Sequence, residues 1–189
     1  MKGNAIVIIL PVVVMIGLFL FGYMSISQKE SITNEDLQQL ITITATEMNE
    51  NTVEVNWQWG DFPEEGIQGN DYIELFLSEG EKNLNSVIER IEVSLWQGNQ
   101  IVYESTEFFL SDKGIVIPIP NEMQDEQILG PSGQVTLHFP EYVNVATELR
   151  WRYYHTWEEH TINEDNGINM EDRFIDEQIQ SYWSVIGNL

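Results

Sequence analysis

The chain has no cysteine among its 189 residues. That excludes a disulfide framework, a thiolate nucleophile and a Cys-ligated zinc site. Basic residues are scarce: eight Lys and Arg stand against 31 Asp and Glu, a formal net charge of −23. Phosphate binding needs clustered Lys and Arg, so no nucleic acid is expected as a partner. Anionic lipid and anionic polymers are repelled for the same reason, whereas cations and basic protein surfaces are attracted. The simpler reading of the acid surplus is that it keeps a folded domain soluble. The motifs G-x-S-x-G, S-x-x-K, H-E-x-x-H and the P-loop are all missing from the sequence. With 31 acids, carboxylate pairs suited to glycoside hydrolysis are unavoidable and point nowhere in particular. The expectation is therefore no enzyme, with a carboxylate-dependent hydrolase as a remote alternative.

One stretch lacks charge altogether. Ala5 to Tyr23 is an apolar run of 19 residues behind Lys2. As a helix it reaches roughly 28 Å, close to the hydrocarbon thickness of a bilayer. It has no polar face, which argues against a soluble helix. A cleavable secretory signal would have a shorter core and an Ala-x-Ala-like site; the nearest small-residue pair is Ser25-Ile26-Ser27. Pro11 lies within two turns of the start, where a membrane helix tolerates it. The expectation is an uncleaved single-pass anchor over 5–23. Residues 1–4 would be cytoplasmic and the C-terminal domain extracytoplasmic. Beyond Tyr23 lie seven of the eight basic residues and all 31 acids, a net −24.

Residues 24–39 read as a stalk. Thr33 and Asp36 have capping-box spacing ahead of Leu37 and Leu40. From there the period changes to two. Ile41, Ile43 and Ala45 alternate with threonines; Val53, Val55, Trp57 and Trp59 follow after the turn residues Asn49-Glu50-Asn51. That pair reads as a hairpin with one buried face. Further strands are expected at Tyr72–Leu77, Ile91–Leu95, Ile101–Tyr103, Ile115–Ile117, Val135–Phe139 and Leu149–Tyr153. Gly98-Asn99 marks a hairpin turn, and Pro118 and Pro120 mark a strand end or an edge. About eight short strands predict an all-β antiparallel sandwich over 40–160, immunoglobulin-like or fibronectin-like in arrangement, with a small barrel as the alternative. A domain of this size can build a core without staples.

Two helices are expected outside the β pattern. Ser78 and Glu81 have capping-box spacing, and Leu84, Val87, Ile88 and Ile91 follow a helical period. In the segment 161–189, Asn169 would cap an amphipathic helix running to Ile186, with Phe174, Ile175, Ile179, Tyr182, Val185 and Ile186 on one stripe.

Four sets of residues invite a functional reading. Asp61, Glu64, Glu65 and Asp71 share one glycine-containing loop and could supply part of a calcium shell of six to eight oxygens. Otherwise no cofactor is implied. Asn163-Glu164-Asp165-Asn166-Gly167 fails as a calcium loop: with Gly167 at position six, Ile162 and Arg173 stand where carboxylates belong. His155 and His160, five apart, diverge on either a strand or a helix, which argues against zinc. Trp96 falls off the Ile91/Val93/Leu95 face and is the tryptophan expected to be exposed. Arg150, Arg152 and Tyr154 share a strand face and either pair with Glu54 or Glu92 across a sheet or meet a partner's carboxylates. Together they are the candidate ligand-binding set. The expected role is a membrane-anchored binding or accessory module that makes protein–protein contacts with an envelope protein. A calcium- or carbohydrate-binding module is the alternative.

Overall fold

The computed structural model describes residues 5–27, 31–78, 84–140, 148–160, 162 and 167–189. The chain divides into two compact units, Met1–Ser31 and Ile32–Leu189. The first unit is one helix, α1 (Ala5–Ser27). Its described side chains, Ile9 to Met24, show no polar face, and all but Gly22 are exposed. Among the described residues no helix is long and apolar enough to cross a membrane.

The second unit opens on a capping box. The Thr33 hydroxyl accepts from the Asp36 N–H at 3.2 Å, and the Asp36 carboxylate accepts from the Thr33 N–H at 3.0 Å. These bonds hold the Asp36 carboxyl below its ordinary range, the backbone bond from Thr33 contributing most. A single helical turn, α2 (Leu37–Leu40), follows. Leu37 and Asn34 are buried, so residues 32–40 belong to the folded unit and the expected stalk ends earlier.

Two five-stranded antiparallel sheets make up the unit. The first contains β1 (Thr42–Asn49), β2 (Thr52–Gln58), β10 (Ser132–His138), β4 (Arg90–Gln97) and β5 (Gln100–Ser105), in that spatial order. The second runs β12 (Tyr182–Asn188), β11 (Leu149–Thr156), β3 (Asn70–Leu77), β7 (Gly114–Pro120) and β6 (Phe109–Leu110). A two-stranded ribbon joins β8 (Met123–Gln124) to β9 (Gln127–Ile128). The expected β1–β2 and β4–β5 hairpins are both present. The Asn49 side chain accepts from the Asn51 N–H at 2.9 Å and shapes the first turn.

Register explains the core. Ala45, Val55, Val135 and Val93 lie in one cross-strand row on the inner face of the first sheet. Ile73, Leu75, Ile115, Ile117, Trp151 and Tyr153 answer from the second sheet in the same cluster. The Trp57 and Tyr153 rings meet between the sheets with centroids 6.3 Å apart. The molecule is thus mostly β, in antiparallel sheets consistent with a sandwich. No cysteine pair or other immunoglobulin-specific mark accompanies it.

Both expected helices need correction. In place of the crossover helix there is a single 3-10 turn, Leu84–Ser86, and Ile91 is already in β4; Glu81 lies outside the described residues. The C-terminal helix is only α3 (Met170–Asp176). Asn169 does cap it, its side chain accepting from the Glu171 N–H at 2.9 Å. The helix stops because Gln178 takes a positive φ of 61°. The Ile179 N–H then bonds the Phe174 carbonyl at 2.8 Å, and the Gln178 N–H bonds Ile175 at 3.1 Å. That is a Schellman ending on a glutamine instead of a glycine. Residues 182–188 then form β12, which turns Trp183 and Val185 inward and leaves Ile186 exposed.

α3 covers the outer face of the second sheet. Phe174 and Met170 pack on Tyr72, Tyr154, Val116 and Phe109 in a second buried cluster. This is why β3 is buried on both faces over most of its length.

Candidate functional site

The sequence-predicted ligand set does not come together. Trp96 lies in the first sheet, and Arg150, Arg152 and Tyr154 lie in the second. Tyr154 is fully buried under α3, its hydroxyl donating to Glu74 at 3.1 Å. Burial pushes that hydroxyl far above the ordinary tyrosine range; the negative charge of Glu74 adds to this and Arg152 opposes it. Arg152 pairs with Glu171 of α3 at 2.6 Å and with neither Glu54 nor Glu92, which are in the other sheet. Arg150 is exposed, opposite Asn188 and Phe76.

Of the four carboxylates of the calcium reading, three have a described partner and Glu64 is exposed. Asp61 bonds the Phe62 N–H at 2.8 Å, Glu65 accepts from Asn34, and Asp71 is buried on β3. Among the described residues no three His, Asp or Glu side chains converge on a metal position. The loop 163–166 lies outside the described residues.

Asp71 is the centre of a buried polar network. It accepts from His155 Nδ1 at 3.0 Å, from the Thr156 N–H at 3.1 Å, from Asn121 at 3.0 Å and from the Tyr153 hydroxyl. Burial, then the Asp71 charge, drives the Tyr153 hydroxyl well above its ordinary range. On its far side His155 Nε2 faces Asn34 Oδ1 at 3.0 Å. The Asn34 amide nitrogen is committed to Glu65 at 3.1 Å and the Gly66 carbonyl at 3.3 Å, so its oxygen faces the ring. Both ring nitrogens of His155 thus lie within hydrogen-bond distance of oxygens, Asp71 on one side and Asn34 on the other. Neither residue is exposed; the network ties the segment 32–40 and the loop 60–69 to the sandwich end. His160 is held elsewhere, by Tyr72 at 2.8 Å, and His138 by Glu92 at 3.2 Å. The three histidines therefore serve three separate places.

The surface that remains is the outer face of the first sheet. Two cross-strand rows carry no charge across β1, β2 and β10, Thr42–Gln58–Ser132 and Thr44–Asn56–Gln134, the second continuing through Ser94 to Glu104 on β5. The next row, Thr46–Glu54–Thr136–Glu92, is acidic. The neutral rows line an open groove of about 570 Å³, bounded by Trp96 and Gly98. Trp96 is 36% exposed, as its position off the core stripe predicts. A register shift between Leu95 and Trp96 sets it beside Ile101, which is 50% exposed. The six row residues escape the sequence reading because they are merely the polar half of the alternation. Their signal is that the polar half is uncharged here in an otherwise acidic unit.

Comparison with protein-family models, curated proteins and solved structures gives no match.

Proposed function

We propose that the chain is a membrane-anchored, extracytoplasmic binding or accessory module that acts through protein–protein contacts. The observation that carries this reading is the open edge of the first sheet. β5 is the last strand in the order, so one row of its backbone N–H and C=O groups is unpaired among the described strands. Natural proteins commonly blunt such edges. Here the edge is flanked by exposed apolar side chains, Ile101 and, just after the strand, Phe108 at 41% exposure. Glu104 and Glu107 flank it with negative charge. An extended segment of a basic partner could add a strand there, main-chain bonds giving affinity and side-chain pockets giving selectivity.

The anchor supports the same reading. The run 5–23 carries no charge, and the helix that contains it exposes its described apolar side chains. Tethering confines the acidic unit near an envelope partner and raises its effective concentration there. The layering is analogous to immunoglobulin-like and fibronectin-like binding modules, an analogy that bears on architecture and not on the partner.

The test is cross-linking of the full-length chain in its native membrane, followed by mass spectrometry. One recurrent partner, lost on Ile101→Lys, supports the reading. An unattached monomer, or a partner retained by that variant, contradicts it.

A further inference from the structure

The groove on the outer face of the first sheet meets the β5 hairpin at Trp96, but its chemistry differs from that of the β5 edge. Its lining residues are all uncharged, although the chain beyond Tyr23 carries −24. An anionic ligand would meet the acidic row at Glu54 and Glu92, and a cationic ligand would find no carboxylate within the groove. What the groove offers is three amide side chains, three hydroxyls and one exposed indole. No groove amide or hydroxyl is engaged by another described protein group.

That combination fits one class of ligand. A pyranose presents a flat C–H face and a rim of hydroxyls. The C–H face stacks on an indole, which is large, rigid and apolar. Amides and hydroxyls, which both donate and accept, match sugar hydroxyls without a charge. Asn56 and Gln134 are neighbours across the β2–β10 ladder, and Trp96 bounds the same groove. The groove is open, which suits a chain entering from the side better than an enclosed small molecule. We infer that this face is a binding site for a neutral oligosaccharide chain, with Trp96 as the stacking platform and Asn56 and Gln134 as hydrogen-bonding groups.

The experiment uses the full-length chain in a detergent without a sugar headgroup. A neutral β-1,4-linked N-acetylglucosamine tetramer and an acidic galacturonate tetramer are each titrated by calorimetry and ligand-observed NMR. The inference expects binding of the neutral tetramer and at least about tenfold weaker binding of the acidic one. Trp96→Ala should weaken binding about tenfold or more. Gln134→Ala should weaken it less, with an unchanged melting temperature. Phe108→Lys, beyond the far end of β5 from Trp96, should leave it unaltered. Absence of neutral-sugar binding at millimolar concentration, equal binding of both tetramers, or indifference to both groove variants would each overturn the site. Cross-linking of a protein through Trp96 without any sugar binding would overturn it in favour of a protein ligand. Loss of the Ile101 cross-link alone leaves this site standing, so the two readings fail separately.

Discussion

Asp71 and His155 face each other 3.0 Å apart with neither side chain exposed to solvent. The other imidazole nitrogen faces Asn34 Oδ1 at 3.0 Å, so the ring is held from both sides inside the fold. Removing one partner leaves buried polar atoms without their hydrogen bonds, at a cost of about 1–3 kcal/mol. Asp71→Asn should therefore lower the unfolding free energy by about 1–3 kcal/mol, while His155→Gln with Asp71→Asn together should cost less than the sum of the two. Denaturant titration of the three variants checks this. An unchanged unfolding free energy for Asp71→Asn would contradict a structural role for this network.

Tyr153 and Tyr154 set the alkaline limit of the fold. Burial, and then a neighbouring carboxylate, raises both hydroxyls above the ordinary value of 10.0. A raised folded-state value contributes stability that is fully present below pH 10 and lost as pH rises through the folded value. These two phenols should ionise only as the sandwich opens. The phenolate absorbance missing from Tyr153→Phe, compared with the parent chain, should appear together with loss of the far-UV β signal. Ionisation of Tyr153 in a still-folded protein would contradict the packing described.

Gly133 sits where the Trp57 ring crosses β10. A Cβ there would run into the indole and would stand 2.7 Å from Leu95 Cδ2. Gly133→Ala should therefore destabilise by about 1–3 kcal/mol through overpacking, with a changed near-UV signal from Trp57. Thermal unfolding with near-UV circular dichroism reads both. An unchanged midpoint would mean that Trp57 has another rotamer to move into.

Self-repulsion among the acids should weaken the fold at low salt. The screening length is about 10 Å at 0.1 M, so raising salt to about 0.2 M should raise the melting temperature. A gain of about 1 kcal/mol corresponds to roughly 2–4 °C for a domain of this size. No change would mean that the charges are already well spread.

Much of this architecture was legible in the period-two pattern. Val53, Val55 and Trp57 are buried in one stripe, and Gly98-Asn99 does make the β4–β5 turn. The capping residues Thr33, Asp36 and Asn169 also announced their turns. The failures have physical causes. Phe174, Ile175, Ile179 and Tyr182 fit a helical stripe, yet Gln178 takes a left-handed conformation that is usual for glycine, and pairing with β11 outweighs the local period. Tyr154 looked available beside Arg152 because nothing in sequence says that α3 folds back over that face. Trp96 was legible because it breaks the stripe of its own strand. The neutral rows were not, because cross-strand neighbours such as Asn56 and Gln134 are far apart in sequence and meet only through register.

The most direct measurement labels intact cells bearing the full-length chain with a membrane-impermeant amine reagent and then pellets the alkaline-washed membranes. Lys113 lies exposed in the folded unit, and Lys2 precedes the apolar run. The account predicts a chain that stays in the pellet, labelled at Lys113 before permeabilisation and at Lys2 only afterwards. A chain released to the supernatant, or the reverse order of labelling, would contradict a tethered, outward-facing module.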